Sequence, residues 1–514
     1  MRHGFILLEN DCEFRPTTVM KETDHPQQTR AIGIRGAIVV ALVVVVTLFP
    51  EPQPYVDALS KGHALRTAGQ YRMARATYQH AHMMQPRSVI PLIGEARTDL
   101  DLGKPGDALP VYREIADLGG TTADVLVAWG QAYDALGDTE RAVQLWQQAL
   151  LHGGTAAHYW LGRGYLYLGD WDSAVNHLRA SLEANTADDE DIQQASYWLA
   201  LGLTFADPAQ AMEPLKQVAS GADSRIAEDA GALAQTLRQA QADNREYGTV
   251  LGAGLFNLGE WRLAELHLQR ALAHRPDDVD ALAYLGAIAG ERGDRVDADS
   301  LFRQALALDG NHALTLFFSG RQQLRLGNAA EARRTFGRLL ALDPQNAAVC
   351  AEIARTYVAE RKYTLAEEWF EAAVANAPLV ADFYHVLADF EANTLFNLDK
   401  GLDAMREAIT LEPANPTAYD LLGWLSFLSR DWTRAERALQ HALELAPQQA
   451  STYYHLGRLY DSQGKPDAAR WAFGRAVDLG AGQPAQRVAE NALRRLGAGP
   501  EAEPAPKRAA DMQR

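Results

Sequence analysis

Cysteine is almost absent from this chain. Cys12 and Cys350 are the only two, and they fall on opposite sides of an apolar segment at Gly36–Phe49. If that segment spans a membrane the two cannot pair, so no disulfide framework is expected. No CxxC occurs, which argues against a cysteine-based zinc site. An excess of basic residues is missing too: 49 Lys and Arg stand against 66 Asp and Glu, a net charge of −17. A general nucleic-acid binder usually carries a basic face, so no nucleic-acid partner is expected. Catalytic signatures are lacking, with no HExxH, GxSxG or GxxxxGK[ST]. The 14 histidines are scattered. None lies three or four residues from another, the spacing that puts two imidazoles on one helix face. They read as structural or surface residues. Neither metal nor cofactor is expected, and the chain is not expected to be an enzyme.

What is present is alanine, leucine and a period. The chain is 47% hydrophobic and 22% charged. β-Branched residues are sparse outside the opening stretch, a balance that favours helices throughout. A length of 514 residues suggests about three domains, but a repeat array would void that expectation.

The one long apolar run is GAIVVALVVVVTLF, Gly36–Phe49. A membrane-spanning helix needs about 20 residues. Extending back to Ala31 gives 19, with Arg35 near enough to the end to reach the headgroups. A cleaved signal peptide needs small residues before the cut, whereas this run meets Phe49-Pro50-Glu51-Pro52-Gln53-Pro54. Translation from Met20 would shorten the lead and restore the signal reading. The retained anchor is the expectation, with 1–30 as an N-terminal tail, 31–49 as the transmembrane anchor and 50–54 as a Pro-rich spacer. Lys21, Arg30 and Arg35 precede it, while only Lys61 follows at similar distance. The positive-inside rule then puts the N-terminus in the cytoplasm and the rest of the chain outside it.

Beyond the spacer a pattern recurs. A small residue stands at Gly252, Gly286, Gly320, Ala354 and Ala388, every 34 residues. It returns at Gly423, after one extra residue, and at Gly457. The same frame fits Gly62, Ala96, Gly130 and Gly162. Seven residues after most of these comes a glycine, such as Gly137, Gly259 or Gly464, suited to a left-handed helix C-cap. An acid often follows, as in GDW at Gly169–Trp171 and GEW at Gly259–Trp261, where it meets the positive end of a second helix. Trp146, Leu268, Phe302, Phe336, Phe370 and Phe473 are expected to bridge to the next unit. Prolines such as Pro276, Pro344 and Pro447 then stop the second helix.

These positions resemble the tetratricopeptide repeat, with its W-x2-L-G-x2-Y, A-x3-F and P pattern. Eleven copies are recognisable between Tyr55 and Gly480. The resemblance implies an all-α helical solenoid, here preceded by one transmembrane helix, whose groove holds peptides or proteins. Four repeats fall at 55–188 and seven at 245–480. Residues 189–244 break the pattern: a unit around Ala200 lacks its cap glycine, and an additional helix follows. This reads as a divergent joint. Pro484–Gly497, within 481–497, suits a polar capping helix, and 498–514 is expected to be a disordered tail.

By the family's geometry the groove takes the second, fifth, ninth and twelfth residues of each unit. The ninth directly follows the small residue and is arginine at Arg97, Arg163, Arg321, Arg355 and Arg458. Tyr159, Phe317, His385, Trp424, Phe427 and Tyr454 share that face. Arginines among aromatics suit an extended peptide with acidic groups or a free carboxylate. The competing reading pairs each arginine with an acid one repeat away, such as Asp382, Asp389 or Asp461. The asparagine and lysine set of the carboxylate-clamp repeats is not found. The expected function is therefore a membrane-anchored scaffold that binds protein partners or extended peptides, for envelope assembly, secretion or polysaccharide export. Two alternatives are a targeting or import receptor with a cytosolic repeat domain, and an enzyme whose site lies in a cleft at the joint.

Overall fold

A computed structural model describes residues 53–184, 189–221, 225–242, 247–480 and 484–497. The chain divides into two compact units, Met1–Asp57 and Ala58–Arg514. The predicted anchor at 31–49 and the tails at 1–30 and 498–514 lie outside the described residues, as do 50–52 of the spacer. Among the described residues, no helix is long and apolar enough to cross a membrane.

The described residues form 26 α-helices and no strand. In chain order the first eight are α1 (Gln53–Thr67), α2 (Tyr71–Met84), α3 (Ile90–Asp101), α4 (Pro105–Asp117), α5 (Ala123–Ala135), α6 (Thr139–Leu151), α7 (Ala157–Leu168) and α8 (Trp171–Glu183). The divergent joint supplies α9 (Asp189–Ala206), α10 (Pro208–Ala219) and α11 (Arg225–Ala242). Then come α12 (Tyr247–Asn257), α13 (Trp261–His274), α14 (Val279–Glu291), α15 (Arg295–Leu308), α16 (Ala313–Arg325) and α17 (Ala329–Leu342). They are followed by α18 (Ala347–Ala359), α19 (Tyr363–Asn376), α20 (Ala381–Phe390), α21 (Leu398–Leu411), α22 (Pro416–Leu428) and α23 (Trp432–Leu445). The last three are α24 (Ala450–Ser462), α25 (Pro466–Leu479) and α26 (Pro484–Arg495). The recurring small residue falls in the first helix of each pair, from α1 to α24.

That residue sets the spacing within a pair. A Cβ added at Gly130 would stand 2.3 Å from Trp146 Nε1, and one at Gly320 would stand 2.6 Å from Phe336 Cε1. The large side chain of the second helix thus fills the notch left in its own repeat. Trp146 also reaches forward: a Cβ at Gly164 would meet its Cζ3 at 2.9 Å. Trp146, Phe336 and Phe473 are fully buried, each contributing roughly 1.5–3 kcal/mol by leaving water. The indole N–H of Trp146 donates to the Val127 carbonyl at 3.0 Å, so its one polar atom is satisfied.

Helix ends follow local chemistry. Gly137, Gly169, Gly259, Gly293, Gly327 and Gly464 all adopt positive φ, as the capping pattern anticipates. Arg361 and Arg430 take the same slot with φ of 58° and 62°, without the glycine that makes it cheap. Second helices are capped by acids: Asp138 accepts from Arg141 N at 3.2 Å and Asp170 from Ser173 N at 3.1 Å. Glu260 precedes α13 but makes no side-chain cap bond. The extra residue between Ala388 and Gly423 is absorbed by a π-helical turn at Glu391–Leu395 that continues α20, the way a helix takes in one surplus residue.

Candidate functional site

All the predicted groove residues lie on first helices. Their side-chain partners and chemistry differ from one to the next.

One arrangement joins α22 and α24. The Trp424 ring stacks on Phe427, with centroids 5.2 Å apart, and on His455 at 4.6 Å. The Arg458 guanidinium stands 5.8 Å from the Trp424 centroid and 5.9 Å from that of Phe427. Its Nη1 donates to the Tyr454 hydroxyl at 3.2 Å. Among the described residues Arg458 makes no ion pair. All five side chains are half-buried, so the rings and the cation share a surface open to solvent. Neighbours hold it in place. Trp424 Nε1 donates to Asn393 Oδ1 at 3.0 Å, and Asn393 Nδ2 donates to Asp389 at 2.8 Å. His455 Nδ1 lies 2.8 Å from Asp420, which also accepts from Ser451 Oγ at 3.0 Å. Asp420 is only 5% exposed, so its carboxylate fixes the imidazole from inside.

Arg163 is built differently. Its guanidinium lies 4.5 Å from the Trp198 centroid, 5.0 Å from Trp160 and 5.8 Å from Tyr159. Tyr159 donates to Gln194 at 3.3 Å. The rings that surround Arg163 belong to the protein itself, which leaves this cation a structural role in joining α7 to α9.

Arg321 and Arg355 are tied down by one acid. Glu352 Oε1 is 2.6 Å from Arg355 Nη1 and 3.7 Å from Arg321 Nε. Glu352 is 5% exposed and needs both cations to offset its burial. Arg321 is thus paired with an acid one repeat away, Glu352 and not Asp382, Asp389 or Asp461, whereas Arg355 meets the same acid three residues earlier on its own helix. Asp389 instead orients Asn393. Phe317 sits beside Arg321, 6.0 Å from its guanidinium, and makes edge contacts with Phe318 and Phe336. Burial pushes the pKa of His385 down. Arg97 lines a cleft of about 240 Å³ with Arg66, Asp101 and Asp124. In that cleft Asp101 is taken by Arg66, Nε to Oδ2 at 2.6 Å, and among the described residues Arg97 makes no ion pair.

Several residues escaped the sequence reading. Asp420 occupies a fifth position, on the groove by rule, but is neither arginine nor aromatic. His455 and Glu352 sit at sixth positions, one step off the groove set. Asn393 lies in the π turn, where the register slips. His158 and His177, on paired helices, bring their Nδ1 atoms to 2.9 Å; burial lowers the pKa of both. Among the described residues no group of three or more ligating side chains could hold a metal.

A cleft does exist at the joint. It has about 270 Å³ and is lined by Thr204, Tyr247, His267, Arg270 and His274. His267 is 1% exposed, stacks on Phe205 at 3.6 Å, and burial holds its pKa down to about 3. Its Nε2 lies 3.0 Å from Thr204 Oγ1. The Thr204 hydroxyl already donates to the Leu201 carbonyl at 2.7 Å. It must therefore accept from the imidazole, the reverse of the orientation that activates a nucleophile.

Tetratricopeptide-repeat models match residues 93–157, 127–168, 159–204 and 422–484, and a second such model matches 323–389. The chain is 26% identical over 233 residues to the protein CTR9 homolog of Arabidopsis thaliana, covering 44% of this chain and 18% of that protein. It is 26% identical over 389 residues to cellulose synthase 1 operon protein C of Komagataeibacter xylinus, covering 68% of this chain and 28% of that protein. The chain thus matches less than a third of either relative's length. Yeast Tom70 is similar in structure at 17% identity and a TM-score of 0.42, covering 89% of this chain and 99% of that one.

Proposed function

We propose, from the premise that the chain carries tetratricopeptide repeats, that it is a non-catalytic scaffold whose groove holds an extended segment of a protein partner. The observation behind this is the surface of Trp424, Phe427, His455 and Arg458. It offers half-exposed aromatic rings beside a guanidinium that has no carboxylate partner among the described residues. A segment carrying a carboxylate next to an apolar side chain would satisfy both. Because Asn393 and Asp420 already hold the rings and the imidazole, binding would cost the receptor little ordering.

The expected test uses fluorescent peptides that differ in acidic content and in free or amidated C-termini. Arg458→Glu should weaken the acidic peptides by about tenfold or more, the scale of one lost charge-assisted contact. Arg355→Gln removes a cation already committed to Glu352 while keeping a hydrogen-bond donor beside that acid, and should leave binding within about twofold. Equal losses in both variants would remove the α22–α24 surface as the site.

The apolar run at 31–49 adds a membrane anchor to this reading, with the repeats on the non-cytoplasmic side. Protease added to sealed cells' outer face should then digest the repeats; digestion only from the cytoplasmic face would favour the import or targeting receptor instead. The similarity to a cellulose synthase operon protein makes polysaccharide export the first envelope pathway to examine.

A further inference from the structure

The second helix of the last repeat differs from its counterparts. In a repeat array such a helix buries one face and leaves the other to solvent. Eighteen residues after the recurring small residue, other repeats carry exposed side chains, including Gln148, Gln304, Arg338 and Arg406. Twenty-one residues after it they carry Leu151, Ala307, Ala341 and Glu444, again exposed. In α25 these positions are Arg475 and Asp478, and they are only 7% and 5% exposed. Every residue from Ala472 to Asp478 is buried. Two opposite charges have therefore been taken out of water on what is elsewhere the solvent face, which is costly unless they are well partnered.

The partners come from the other end of the array. Arg475 Nη1 donates to the carbonyls of Ala68 at 3.0 Å and Gly69 at 2.9 Å, just past the C-terminal end of α1. Asp478 Oδ1 accepts from the backbone N of Arg72 at 3.4 Å and from its Nε at 3.3 Å, in the first turn of α2. The cation thus meets the negative end of one helix dipole and the carboxylate the positive end of the next. The match has a structural reason on both sides. Gln70, the N-cap of α2, makes no side-chain cap bond, and Asp478 supplies the missing acceptor from 406 residues away. Two glycines leave room: a Cβ at Gly474 would stand 2.9 Å from Arg72 Nη2, and one at Gly69 would stand 2.8 Å from Arg475 Nη1.

We propose that the repeat array is latched end to end within one chain, the outer face of α25 being the docking surface for the α1–α2 turn through Arg72, Arg475 and Asp478. The occupant is this chain's own first repeat, since the bonds are made inside the 58–514 unit. The inference is independent of what the groove binds.

Hydrogen exchange on the full-length chain tests it. Asp478→Arg sets like charges against Arg72 and should speed exchange at 68–74 and 472–479 by about tenfold or more, with the middle repeats unchanged. Adding Arg72→Asp restores opposite charges and should return exchange toward wild type. Arg72→Gln, a milder change, reports the same segments should the reversal fail to fold. Wild-type exchange in the single variants would overturn the latch. So would a concentration-dependent oligomer in sedimentation whose ends pair between copies.

Discussion

At Gly130 and Gly137, two glycines seven residues apart, glycine is required for different reasons. At Gly130 the requirement is space, because Trp146 fills the position a side chain would take. At Gly137 it is backbone conformation, φ being 85° with open space around. Gly130→Leu should therefore cost about 1–3 kcal/mol through overpacking, and Gly137→Ala about 1–2 kcal/mol through left-handed strain. Urea unfolding of the two variants measures both, and a second, compensating change of Trp146 to a smaller residue should rescue only the first. Both glycines were legible as a repeated pattern. Arg361 and Arg430 were not, because a residue that breaks the cap rule leaves no trace of the conformation it still adopts. The partner of Arg321 and Arg355 was also hidden. An acid at a sixth position looks like any other surface glutamate until the fold buries it.

Individual helices show the same division. Their pairing follows from a period that recurs at every repeat, so the array could be read without coordinates. The π turn at Glu391–Leu395 was visible only as a surplus residue, and its consequence, the placement of Asn393 at the Trp424 indole N–H, needed three dimensions. The joint was legible as a departure. What it holds was not: His267 reads as one more helical histidine, yet it is sealed between Phe205 and Thr204. Its folded pKa, about 3, lies below the ordinary 6.5. Between those values the unfolded chain binds more protons than the native one, so stability present above pH 6.5 is lost as pH falls toward 3. His267→Gln should flatten that part of the stability curve. Urea midpoints between pH 7 and 4 for the wild type and variant measure the difference, and parallel slopes would assign the acid sensitivity to other groups.

For the whole 58–514 unit, the period carries no information about where the array ends up. Each repeat adds a small rotation, and the sum decides whether Arg72 and Asp478 meet. No local signal near Arg475 or Asp478 announces that they are covered. The latch in turn constrains that sum. Removing one complete repeat, residues 313–346, should leave each neighbouring pair packed as before, since repeats contact mainly their neighbours. It should nevertheless separate the ends, seen as faster exchange at 68–74 and 472–479 with helix content otherwise in proportion. An open array can gain or lose repeats by duplication or deletion and merely become longer or shorter. One whose two ends are bonded cannot. Its repeat number is a fixed integer.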